Sequence, residues 1–169
     1  MAYSDHFLHA DEVVTNLNTI IFPNNDIDAL VKTKYIGFVS VVAVTVYEMA
    51  VKDIFIEFAR KKHKVLESFT AAYFDRISGR INLKTITDDY ISKFGDRYKI
   101  RFGQKIEKRK ETYLKQNRRD IKVSYQNIIT WRNAFVHGGS SNLPTSTDII
   151  QDYEAGKEVI HILAASMTR

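Results

Sequence analysis

From about Thr33 to Arg60 the chain is apolar nearly all round, with no turn signal inside the run. Its many valines favour a strand locally, yet the unbroken length exceeds what strands reach. A helix with apolar side chains on every side has to be surrounded by other elements. The run therefore predicts an all-α bundle built around a long central apolar helix. Its most apolar part, Tyr35 to Val51, is interrupted by Ser40, Thr45 and Glu48 and is shorter than the roughly 20 residues of a membrane span, so no membrane is expected as a partner.

The flanking sequence supplies the rest of a bundle of about five to seven helices. Ser4 or Asp5 can cap a first helix that runs to about Ile21, where "FPNND" ends it. Helical periodicity returns at Val65 to Ile77, Thr87 to Phe94, Asp96 to about Gln116, and Asp120 to His137. Gly138-Gly139 stops the last of these as a C-cap. After the loop "SSNLPTST", Thr147 is expected to cap a final amphipathic helix through Met167. With no repeat, linker or low-complexity tract, residues 1–169 read as one domain.

At 169 residues with 44% hydrophobic content, the chain can bury a sizeable core. It has no cysteine, which removes disulfides, thiolate metal sites and a cysteine nucleophile, and suits a reducing cytoplasm. The polar, acidic start "MAYSDHFLHADEV" is unlike a signal peptide. Charge is unevenly spread. Between Arg97 and Lys122 eleven Lys/Arg face three acids, while the whole chain carries only +5, so the remainder is net negative. Arg97, Lys99, Arg101, Lys105, Lys108, Arg109, Arg118 and Arg119 interleave with Tyr98, Phe102 and Tyr113. That pattern suits phosphate contacts beside base-stacking rings, and equally a solvated helix face.

The stretch "WRNAFVHGG" poses the sharpest question. Ile121, Tyr125, Ile128 and Phe135 form a helical stripe, and Arg132 falls in the middle of it. On the central helix, Val41, Val44, Val51 and Phe55 form a second stripe with Glu48 in its middle. If the stripes face each other, carboxylate and guanidinium can pair, either to specify packing or to hold Arg132 towards a phosphate. His137, in the last turn, feels the negative end of the helix dipole, which favours the charged ring and suits it to proton transfer. Asn133, four residues earlier, is placed to orient that ring. Arg132 is about 140° from His137 around an ideal helix, so the two converge only if the last turn unwinds or a second chain contributes.

These residues resemble the HEPN superfamily of ribonucleases, including its RiboL-PSP-HEPN branch. That family's signature is an arginine, usually followed by a polar residue, and a histidine after four to six intervening positions. Arg132, Asn133 and His137 match it, as does the order of a long apolar helix carrying a glutamate, an Arg/His helix and a closing helix. The resemblance implies an α-helical bundle, commonly a homodimer that joins two Arg/His motifs in one cleft, and metal-independent RNA cleavage. The basic segment before the motif is longer than in a minimal member.

The residue types suit that chemistry. RNA carries its own nucleophile, the 2′-OH, so cleavage to a 2′,3′-cyclic phosphate needs a base, an acid for the 5′-oxygen and cations for the phosphate. Histidine and arginine supply these without a cofactor. His6, His9 and His63 are expected to be surface residues, and His161 packing or surface. There is no Walker-type loop or Gly-x-Ser-x-Gly elbow. The leading expectation is a cytoplasmic endoribonuclease acting as a toxin or antiviral effector, with RNA, a second copy of itself, and an antitoxin or regulatory protein as partners. The alternatives are a non-cutting RNA or nucleotide binder and a dimerisation module.

Overall fold

In the computed structural model, residues 2–138 and 143–168 are described. Among them the fold is all-α, with no strand and six α-helices. A 3-10 turn at Tyr3–His6, helix α1 at Phe7–Asn16 and a π turn at Leu17–Ile21 form one continuous helical run. Helix α2 spans Ala29–Arg60, four residues earlier than the periodicity suggested, because Asp28 caps it by accepting the Leu30 N–H at 2.7 Å. Helix α3 (Lys64–Asp75) is followed by short turns at Thr85–Tyr90 and Ile91–Phe94, then α4 (Asp96–Asn117), α5 (Ile121–Gly138) and α6 (Ser146–Ser166).

Two boundaries differ from expectation. Thr145, not Thr147, caps α6: its Oγ1 accepts the Asp148 N–H at 3.1 Å. The Thr145 and Asp148 spacing is that of a capping box, a signal present in the sequence. Gly138 is still helical, and Gly139, the other half of the expected C-cap, lies outside the described residues, as does part of the "SSNLPTST" loop. Between α4 and α5 the chain turns at Arg118, which takes a left-handed φ of 58°.

The core centres on three tyrosines from three helices. The Tyr47 ring of α2 stacks on Tyr125 of α5 at 5.3 Å and lies parallel to Tyr153 of α6 at 5.9 Å. Each hydroxyl is satisfied inside the protein: Tyr47 donates to the Tyr153 carbonyl at 2.6 Å, Tyr125 to the Ile81 carbonyl at 2.7 Å, and Tyr153 to Asp11 Oδ1 at 2.7 Å. Burial pushes the Tyr47 and Tyr125 phenols far above their ordinary range, so they stay neutral donors.

Two contacts fix how α5 lies on α2. Tyr125 meets Tyr47, and ten residues later Phe135 meets Gly37, ten residues earlier in α2. The helices are therefore antiparallel, and the last turns of α5 lie over the first third of α2. No described helix is long and apolar enough to cross a membrane.

Candidate active site

Helix α5 begins with Asp120 as its cap, Oδ1 accepting the Lys122 N–H at 2.9 Å. Ile121, Ser124, Tyr125, Ile128 and Ile129 are buried; beyond them the helix climbs out of the core. Trp131, Arg132 and Phe135 are half-buried, and Asn133, Val136 and His137 are exposed. Arg132 therefore sits at the edge of the core rather than inside it, and its charge needs no buried counter-ion.

The expected Glu48 and Arg132 pair does not form. Glu48 Oε1 is 2.8 Å from Lys52 Nζ, and Oε2 accepts the Gly79 N–H at 2.6 Å. The reason is register. Pairing Tyr47 with Tyr125 and Gly37 with Phe135 sets Arg132 across from about Ser40, so Glu48 lies some eight residues away, roughly 12 Å along the helix. Two stripes that could face each other do so with their charges offset.

Arg132 Nη1 instead donates to Asn133 Oδ1 at 3.0 Å. Asn133 was expected to orient His137; its oxygen engages the guanidinium. That bond uses one of the five guanidinium N–H donors. His137 has no hydrogen-bond or ion-pair partner among the described residues. Because α5 stays helical through Gly138, unwinding does not begin before that residue, and the Arg132 and His137 side chains leave the helix about 140° apart.

The basic segment divides into two groups. Lys99 pairs with Asp88 and Arg109 with Glu158, both at 2.8 Å, while Arg101 donates to the Thr168 carbonyl at 2.6 Å beyond the end of α6. Arg119 bonds Gln151, Asp148 and Asp152. These four act as clamps of α4 and the α4–α5 turn. Arg97 stacks on Tyr98, and Lys105, Lys108 and Arg118 are exposed with no partner among the described residues. The interleaved rings are not free stacking surfaces: Tyr98 and Phe102 are each 2% exposed and belong to the core, with Tyr113 packed against it.

Two polar groupings escaped the sequence reading. Asp152 is 1% exposed and accepts from Arg119 Nη1 (2.7 Å), Ser124 Oγ (2.7 Å) and Asn127 Nδ2 (2.8 Å), tying the α4–α5 turn, α5 and α6 together. Its place on the buried side of an amphipathic helix was the available signal. His6, expected at the surface, is largely buried with Nε2 2.6 Å from Asp53 Oδ2. Of the other histidines, His63 caps α3 by accepting the Val65 N–H, and His161 Nδ1 shares a hydrogen bond with the Tyr3 hydroxyl at 2.9 Å. No group of three or more potential metal ligands occurs among the described residues.

Comparisons with curated proteins and with solved structures find no match. The RiboL-PSP-HEPN family profile, in contrast, aligns with residues 8–168, nearly the whole chain, and takes in α2, the α5 motif and α6 together. The chain belongs to the RiboL-PSP-HEPN family, within the HEPN domain group.

Proposed function

We propose that the protein is an endoribonuclease whose active site is assembled from Arg132, Asn133 and His137 of two chains. The observation that carries this reading is the exposed end of α5. It presents an imidazole without a partner among the described residues and a guanidinium with donors to spare, on a helix anchored by its other half in the core.

His137 takes the 2′-OH proton and, as the imidazolium so formed, gives it to the leaving 5′-oxygen, leaving a 2′,3′-cyclic phosphate. Arg132, steadied by Asn133, faces the charge that builds on the phosphate. No metal enters these steps. Glu48 has no part in them, since its carboxylate is held by Lys52 and Gly79.

One chain cannot bring Arg132 and His137 together on a regular helix, so a second copy completes the site. The surface supports such a contact: next to the Gly37 and Phe135 crossing, Phe38 is 44% exposed and Val136 51%, with Tyr35 packed edge-on against Phe38. RNA beyond the cleaved bond is met by Lys105, Lys108 and Arg118. The use we propose for this activity is that of a toxin or antiviral effector in the cytoplasm, restrained by an antitoxin or regulatory protein.

The test is cleavage of a structured RNA in excess EDTA by wild type and His137→Ala. Wild type should give cyclic-phosphate ends and the variant none. Cutting by both at one rate would remove His137 from the catalytic step, and cutting by neither while RNA still binds would move the protein to the non-catalytic RNA-binding alternative.

A further inference from the structure

A cleft of about 550 Å³ opens between α3, the short turns after it and the start of α4. Its most accessible ring is Phe69, 70% exposed on α3. Lys62, Lys93 and Arg97 line the same cleft, and no carboxylate does. Each of these cations lies beside an aromatic ring: Lys62 is 5.0 Å from the Phe58 centroid, while Lys93 and Arg97 donate to the hydroxyls of Tyr73 and Tyr98, both at 2.5 Å. None has an ion-pair partner among the described residues, whereas Lys99 and Arg109 on the same helix as Arg97 are both neutralised.

The cleft is remote from the α5 motif. Phe58 lies 21 positions along α2 from Gly37, so about 30 Å separates it from the crossing under Phe135. Uncompensated cations around an exposed ring match a ligand that is flat and apolar on one part and anionic on another. An unpaired nucleotide has that form: its base can stack on Phe69 while its phosphate meets the lysines and arginine at the mouth. A protein ligand with an acidic tail would satisfy the charge but leaves the exposed ring without a flat partner.

We propose that the cleft between α3 and α4 is a second nucleic-acid site, which holds an unpaired nucleotide through Phe69 and the cations Lys62, Lys93 and Arg97. It is a binding site only, separate from the α5 motif, and its occupancy does not depend on cleavage.

The test uses the full chain carrying His137→Ala, so that cleavage plays no part, and a fluorescent single-stranded oligonucleotide of about four nucleotides. Stacked at about 3.4 Å per nucleotide, it is too short to reach from this cleft to α5. Phe69→Ala, at an exposed position where folding is not at risk, should weaken binding about tenfold. Lys93→Gln with Arg97→Gln should flatten the salt dependence by about 0.7 per cation in the log-log slope. Competition by adenosine monophosphate at similar concentration assigns the cleft to free nucleotides, and its failure to compete assigns it to a strand. Unchanged affinity in Phe69→Ala, or equal binding of a duplex, overturns the proposal. Because only binding is read, a protein that never cuts RNA can still pass or fail.

Discussion

Phe135 lies directly against the backbone of Gly37: a β-carbon on residue 37 would stand 2.1 Å from Phe135 Cδ2. Helix α5 can approach α2 this closely at its motif end only because position 37 has no side chain. Gly37→Ala should push Phe135 towards solvent or lift the end of α5, with a loss of about 1–3 kcal/mol in stability. Adding Phe135→Leu should recover part of that loss. Chemical denaturation of the single and double variants checks it, and full stability in Gly37→Ala would show that the crossing is loose.

The buried Asp152 joins three donors from two neighbouring elements, so its removal should be severe. Asp152→Ala leaves Ser124, Asn127 and Arg119 Nη1 without their acceptor and should cost about 3–5 kcal/mol. Arg119→Ala should be similarly damaging, whereas Lys108→Ala should leave the unfolding midpoint within the range of ordinary surface changes. This separates the clamping arginines of the basic segment from the free lysines. Equal midpoints for Arg119→Ala and Lys108→Ala would contradict the division.

What the sequence made legible is what periodicity and capping encode. The helices fall close to where apolar spacing puts them, and Arg132, Asn133 and His137 all lie on the last turns of α5, with Arg132 and His137 on different sides of it. Register between helices is another matter. Whether Arg132 meets Glu48 depends on which turn of α5 crosses which turn of α2, and that is decided by Gly37 accepting the Phe135 ring and by the tyrosine stack. Those are three-dimensional complementarities with no local signature. Charge counting did not separate these residues for the same reason: Arg109 and Arg119 look like Lys108 in the sequence, and only the packing of α4 and the turn after it against α6 supplies Glu158 and Asp148 as their partners.

Acid should weaken the α6 N-terminus through Asp148. The Arg119 guanidinium, helped by Thr145, holds its carboxyl below the ordinary 3.8. The folded chain thus binds this proton less readily than the unfolded one. The resulting stabilisation is complete above about 3.8 and is lost as pH falls through the lower folded value. The side chain is 45% exposed, so the effect is small. Asp148→Asn should lower stability near neutrality and flatten its decline below pH 3.8. Thermal melts across an acid series decide this, and parallel declines for both proteins would count against it.

The two-chain site makes the strongest demand. Arg132→Ala and His137→Ala should each be inactive and each well folded, since Arg132 is only half-buried and His137 is exposed. Mixed by co-expression or by unfolding and refolding together, they form dimers in which one chain supplies Arg132 and the other His137. About half of the dimers should be mixed, each keeping one of two composite sites, so roughly a quarter of wild-type activity should return. If each chain instead housed a complete site, both chains of every dimer would be defective and nothing would return. The mixed species must be shown to exist, for instance by two different tags purified in sequence. A doubly tagged dimer without activity would mean that Arg132 and His137 act within one chain, and the reading of α5 as half of a shared site would fall.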